Sequence, residues 1–157
     1  MSAMERLVDY LREGQVVNVR AGEVFHHGGF YKQGHTFSGT SWFAKGRRYA
    51  AGFAVWGAEA AATRGQVGHL VEFEAEIDFS LLEVPGNHVE RLFEVYGCAW
   101  DHGTLAKDIG SYISKANPSA IGVIISGLDD HLILDFEHVL TKVSQETDAA
   151  LIRRIKG

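Results

Sequence analysis

Apolar and polar residues alternate with two different periods along this chain, and the changes of period mark its elements. Leu7, Val8 and Leu11 recur at helical spacing, predicting a helix over Met4–Gly14 with Gly14 as its C-cap. Two β-branched or aromatic runs follow, Gln15–Val19 and Glu23–His27. Joined by Arg20-Ala21-Gly22, they predict a strand pair. The stretch from His27-Gly28-Gly29 to Gly34-His35 is too short for a linker and predicts a glycine-rich turn or part of a site. Thr36–Phe43 is extended and aromatic. Lys45–Ala62 is alanine-rich and lacks proline, which predicts a helix with Tyr49, Phe53 and Trp56 along one stripe.

The second half continues the pattern. Gly68–Phe79 alternates almost strictly from Val71, setting Val71, Phe73, Ala75 and Ile77 against Glu72, Glu74, Glu76 and Asp78. That is a strand with one acidic, wet face. Pro85-Gly86-Asn87 predicts a turn capped by Asn87 before a helix carrying Val89, Leu92, Phe93 and Tyr96. Asp101–Thr104 reads as a loop, with Thr104 capping a helix to Ala116 that Pro118 closes. Ala120–Ser126 has the composition of a buried strand, Gly127–Asp130 of a turn, and His131–Asp135 and His138–Val143 of the last strands. Thr147–Lys156 predicts a short terminal helix. Early and late strand pairs without a repeating βαβ order predict an α+β fold. A chain of 157 residues suits one domain over 1–157.

Composition narrows the function. Hydrophobic residues are 46% and charged residues 22%, enough to bury a core. A net charge of −5 argues against a general nucleic-acid binder, although it leaves room for a local basic patch. The single cysteine, Cys98, excludes an internal disulfide framework and a cysteine-rich zinc site; beside Trp100 it reads as a filler. No apolar run approaches the roughly 18 residues of a membrane span. A cytoplasmic protein is expected, or an effector exported without a signal peptide. Eight histidines include no metal-binding spacing, and His26 and His27 point to opposite faces if both lie in a strand, so no metal is expected. Walker, dinucleotide-binding and nucleophile-elbow motifs are absent.

Three separated segments carry more chemistry together than singly. The first ends in His27-Gly28. The second is Trp42-Phe43-Ala44, followed by Ala50-Ala51 and by Phe53, which lies eleven residues after Trp42. The third is Asp130, Leu132-Ile133-Leu134, Asp135 and Val139. Singly, each has an ordinary structural explanation. His27 is a turn residue, Trp42 and Phe53 are core aromatics, Asp129-Asp130 is a solvated turn, and Arg47-Arg48 is a solvated helix face.

In this order and register the segments resemble the ADP-ribosyltransferase superfamily, in the branch with a His–aromatic–acid triad that includes poly(ADP-ribose) polymerases and diphtheria-type toxins. The resemblance covers about residues 23–143, which it makes the core of the domain, and implies split mixed and antiparallel sheets with flanking helices and NAD+ as the substrate. It implies that His27 hydrogen-bonds the adenosine-side ribose and that the Gly28 backbone holds the nicotinamide amide. Trp42 and Phe53 would sandwich the nicotinamide ring. Asp130 would bind the nicotinamide ribose and stabilise an oxocarbenium-like transition state, with His27 completing the catalytic pair. Lys45, Arg47 and Arg48 would reach the diphosphate. Three positions depart from the family. Aspartate replaces the usual glutamate, tryptophan replaces tyrosine, and Ala50 stands where a hydroxyl residue often binds the amide, a place Ser41 or Thr40 would fill. Asp129 and Asp130 both remain candidates for the acid.

The implied activity is mono-ADP-ribosyl transfer to a protein or nucleic-acid acceptor, or NAD+ hydrolysis, with acceptor specificity in Gly29–Ser38 and Val84–Gly103. The departures define the alternative, a degenerate domain that binds a nucleotide or a protein. A toxin-like ribonuclease using His27 and a second histidine is a more distant alternative.

Overall fold

The computed structural model describes residues 2–85 and 102–157. The helix expected after Asn87 and the surroundings of Cys98 and Trp100 lie outside the described residues. So does most of the loop beginning at Val84.

Helix α1 (Ala3–Leu11) opens with a capping box in which the Ser2 hydroxyl accepts from the Glu5 amide. It ends before Gly14, with Arg12 as its C-cap. Strand β1 (Gln15–Val19) and strand β2 (Val24–Tyr31) follow. They are not the hairpin that sequence predicts. β1 pairs with β5 (Phe79–Val84), whereas β2 pairs with β4 (Val67–Ala75). The turn between them, with Gly22 at φ 95°, carries the chain from one sheet to another. β2 also runs straight through Gly28 and Gly29 to Tyr31, because all eight of its residues find register partners in β4. The predicted glycine loop therefore begins later.

β3 (Ser41–Phe43) is short. The single helix expected over Lys45–Ala62 is two, α2 (Arg47–Gly52) and α3 (Ala58–Ala62). Gly57, at φ 87°, breaks the run. The acidic run likewise divides, since β4 ends at Ala75 and β5 begins at Phe79. Helix α4 (His102–Ala116), strands β6 (Ala120–Ile125) and β7 (Asp130–Ile133), a 3-10 turn (Phe136–His138) and β8 (Leu140–Glu146) come next. Helix α5 (Ala149–Lys156) closes the chain, with Asp148 accepting from the Ala150 and Leu151 amides as its cap.

The fold is α+β, with two sheets. One is mixed and five-stranded, in the order β1-β5-β6-β7-β3, with β5 and β6 parallel. The other is antiparallel, in the order β2-β4-β8. β7 and β8 do not finish one sheet. Asp135, at φ 44°, and the 3-10 turn send β8 to the second sheet.

Helices α1 and α4 cover the outer face of the large sheet through Leu7, Leu11, Ile109 and Ile113 against Leu82, Val123 and Leu132. Between the sheets lie Phe25, Phe43, Phe73, Phe79 and Phe136, largely in edge-to-face contact. Helices α2 and α5 cover the small sheet through Ala50, Ala51 and Ile152 on Leu70. Burial on both faces of the large sheet explains why Ala120–Ser126 reads as continuously apolar. The sheets meet where the His26 amide donates to the Ala44 carbonyl at 2.7 Å and Ala44 donates back at 2.8 Å. The site lies along this junction.

Candidate functional site

A cavity of about 430 Å³ opens at the junction, within the range of small-molecule sites. Its lining comes from three distant parts of the chain: β2 from His26 to Tyr31, Thr40 to Ala44 with Tyr49, Ala50 and Phe53, and Asp130 at the start of β7. His27, Gly28, Ser41, Trp42, Ala50, Phe53 and Asp130, all singled out from sequence, therefore share one wall-to-wall site.

His27 is buried and locked in place. Its Nδ1 lies 2.6 Å from the Trp42 carbonyl, which only accepts, so Nδ1 carries the proton. Ser41 Oγ stands 3.3 Å from the same nitrogen. His27 Nε2 lies 2.5 Å from the Tyr31 hydroxyl. Tyr31 is two strand periods beyond His27, so both rings stand on one face. That ring folds over Gly29, where an added Cβ would meet it at 2.8 Å. Burial raises the Tyr31 phenol's pKa and keeps it a donor.

Gly28 meets helix α2 at close range. A Cβ there would lie 1.8 Å from the Ala50 carbonyl oxygen. Gly28 thus lets α2 press onto β2, which puts Ala50 on the cavity wall. Trp42 borders the cavity and also packs on the cluster beneath α1 and α4. Phe53 is 44% exposed and sits at the mouth, so it is not a core aromatic.

The two adjacent aspartates divide their work. Asp129 accepts from the Lys45 amide at 2.8 Å and the Gly46 amide at 2.7 Å, tying down the turn into α2. Asp130 lines the cavity, is 8% exposed, and accepts from the Tyr49 hydroxyl at 2.9 Å. Burial pushes the Asp130 carboxyl up, the Tyr49 bond pulls it partly back, and Asp129 adds to the rise. Burial and the Asp130 contact raise the Tyr49 phenol. Tyr49 was noted from sequence only as part of an apolar stripe. Its spacing of four from Phe53 was the signal that both belong to the mouth.

The basic residues expected at the diphosphate do not line the cavity. Arg48 Nε donates to the Lys156 carbonyl at 2.8 Å. Lys45 pairs with Glu23 at 2.8 Å and lies over the Phe25 ring. Among the described residues, no Lys or Arg lines the cavity, Arg47 included. Among the described residues no group of three or more His, Cys, Asp or Glu is placed to hold a metal ion, and no helix is long and apolar enough to cross a membrane.

No protein-family model matches the chain, and no curated protein matches it.

Proposed function

We propose that the cavity binds the nicotinamide–ribose half of NAD+ and that the protein transfers ADP-ribose to a macromolecule or hydrolyses NAD+. One observation carries the reading. A buried His27 held by the Trp42 carbonyl, an exposed aromatic Phe53 and a buried carboxylate, Asp130, converge on one apolar cavity from three separated segments.

Each group has a job in that chemistry. The cationic nicotinamide ring stacks on Phe53, and Trp42 closes the cavity behind it. Backbone groups of Gly28 and the Ser41 hydroxyl face the carboxamide. The His27–Tyr31 pair orders a ribose hydroxyl. As the glycosidic bond breaks, positive charge grows on the ribose, and ionised Asp130 in a low-dielectric wall stabilises it more than water would. The electron pair of the broken bond leaves with nicotinamide. The acceptor's hydroxyl, or water, then bonds to the ribose carbon and gives up its proton. No cation among the described residues lines the cavity, which supports a diphosphate lying outside it.

That last feature favours a second reading, a binding module that holds the nucleotide without turning it over. Titrating NAD+ and nicotinamide separately by calorimetry tests both. Binding of NAD+ that Phe53→Ala weakens about tenfold supports the site. Absence of binding by either ligand overturns it.

A further inference from the structure

Beyond the cavity mouth, α2 and α5 present a second chemical surface. They pack together through Ala50, Ala51 and Ile152 and carry Arg47, Arg48, Arg153, Arg154 and Lys156. A third of the chain's fifteen Lys and Arg thus sit in fourteen residues that contain no Asp or Glu, in a protein of net charge −5. Arg48 and Lys156 are neighbours through the 2.8 Å bond from Nε to the Lys156 carbonyl. Lys156 Nζ lies 5.2 Å from the Trp56 ring centre. Trp56 is 59% exposed and meets the Phe53 ring edge-on at 5.9 Å. Phe53 leads into the cavity.

Cations alone would be an ordinary solvated face. Two large aromatic rings held open to water beside them are not, because rings of that size usually bury themselves. An acidic peptide would use the charges and leave the flat rings idle. Phosphates spaced along a chain of stacking bases use both. We infer that this ledge binds single-stranded nucleic acid, with phosphates on Arg48, Lys156 and the α5 arginines and bases stacked on Trp56 and Phe53. Its role as the ADP-ribose acceptor rests on the proposed function; its binding does not.

The test is fluorescence anisotropy with a labelled mixed-sequence single strand, as DNA and as RNA, in a salt series without NAD+. Binding is expected to weaken with salt. Trp56→Ala should lower affinity about fivefold to a hundredfold while leaving the salt slope unchanged. Lys156→Gln should reduce that log–log slope by about 0.7, the value for one lost phosphate contact. Arg154→Glu, at an exposed position, should weaken binding without lowering the melting temperature. The inference is overturned by absence of binding, by affinity that Trp56→Ala leaves intact, by equal affinity for duplex, or by polyglutamate competing as well as the oligonucleotide. NAD+ calorimetry on the same samples separates the two claims. NAD+ binding without oligonucleotide binding sinks the ledge alone, and the reverse sinks the NAD+ reading alone.

Discussion

The hydroxyl of Tyr49 donates to Asp130 Oδ1 at 2.9 Å on the cavity wall, joining a helix residue to a strand residue 81 positions later. This bond favours the ionised carboxylate that burial opposes. Tyr49→Phe removes it, so the Asp130 pKa should rise further. The acid limb of any pH–activity profile should then move to higher pH, and turnover near neutrality should fall about tenfold. A profile of nicotinamide release measured from pH 4 to 8 checks this. An unmoved limb would mean that Tyr49 does not set the state of Asp130.

The neighbouring aspartates should respond oppositely to substitution. Asp130 has a folded pKa raised above its unfolded value, so its ionisation destabilises the fold as pH rises from about 4 through the folded value. Asp130→Asn should therefore melt higher than wild type at pH 7, with the gap closing toward pH 4. Asp129→Ala strands two backbone amides and should cost about 1–3 kcal/mol. Thermal melts at both pH values decide.

Gly28 should tolerate nothing larger. Gly28→Ala places a Cβ 1.8 Å from the Ala50 oxygen and forces α2 off β2, at about 1–3 kcal/mol or more. The cavity wall at Ala50 moves with it, so ligand binding should fail alongside. Gly110→Ala is the control. Its Cβ would meet Leu134 at 3.7 Å, an ordinary contact, and helix α4 should gain up to about 1 kcal/mol. Denaturant unfolding of both variants measures the contrast.

Much of this was legible beforehand, for identifiable reasons. β4 followed from its period and β6 from its apolar composition, and the terminal helix α5 was expected at Thr147–Lys156, because local pattern dictates them. The α+β class followed from element order. That His27, Ser41, Trp42, Ala50, Phe53 and Asp130 line one cavity has no local signal in the sequence; only the family resemblance set them side by side. Strand pairing was not legible. β1 and β2 look like a hairpin because nothing in Arg20-Ala21-Gly22 reveals that each strand has a better partner far along the chain. The break of the Lys45–Ala62 helix was signalled by Gly52 and Gly57 and overridden by the alanines around them. The bond from Arg48 to the end of α5 was not legible, because it is a contact made only by the folded chain.

Acid should weaken the fold through two histidines. Burial lowers the pKa of both His26 and His131. The unfolded chain thus binds protons first, and stability contributed by the neutral rings is lost as pH falls below about 6.5. Denaturant midpoints should drop between pH 7 and pH 5. His131→Gln should flatten that slope. A slope unchanged by His131→Gln would assign the acid sensitivity elsewhere.

The most direct test is nicotinamide release from NAD+ by wild type beside Asp130→Ala, with NAD+ binding followed calorimetrically in the same samples. The account predicts release by wild type, loss of release in the variant, and binding retained in both. Absence of NAD+ binding by the wild type would contradict it and would leave His27, Phe53 and Asp130 lining a cavity for some other ligand.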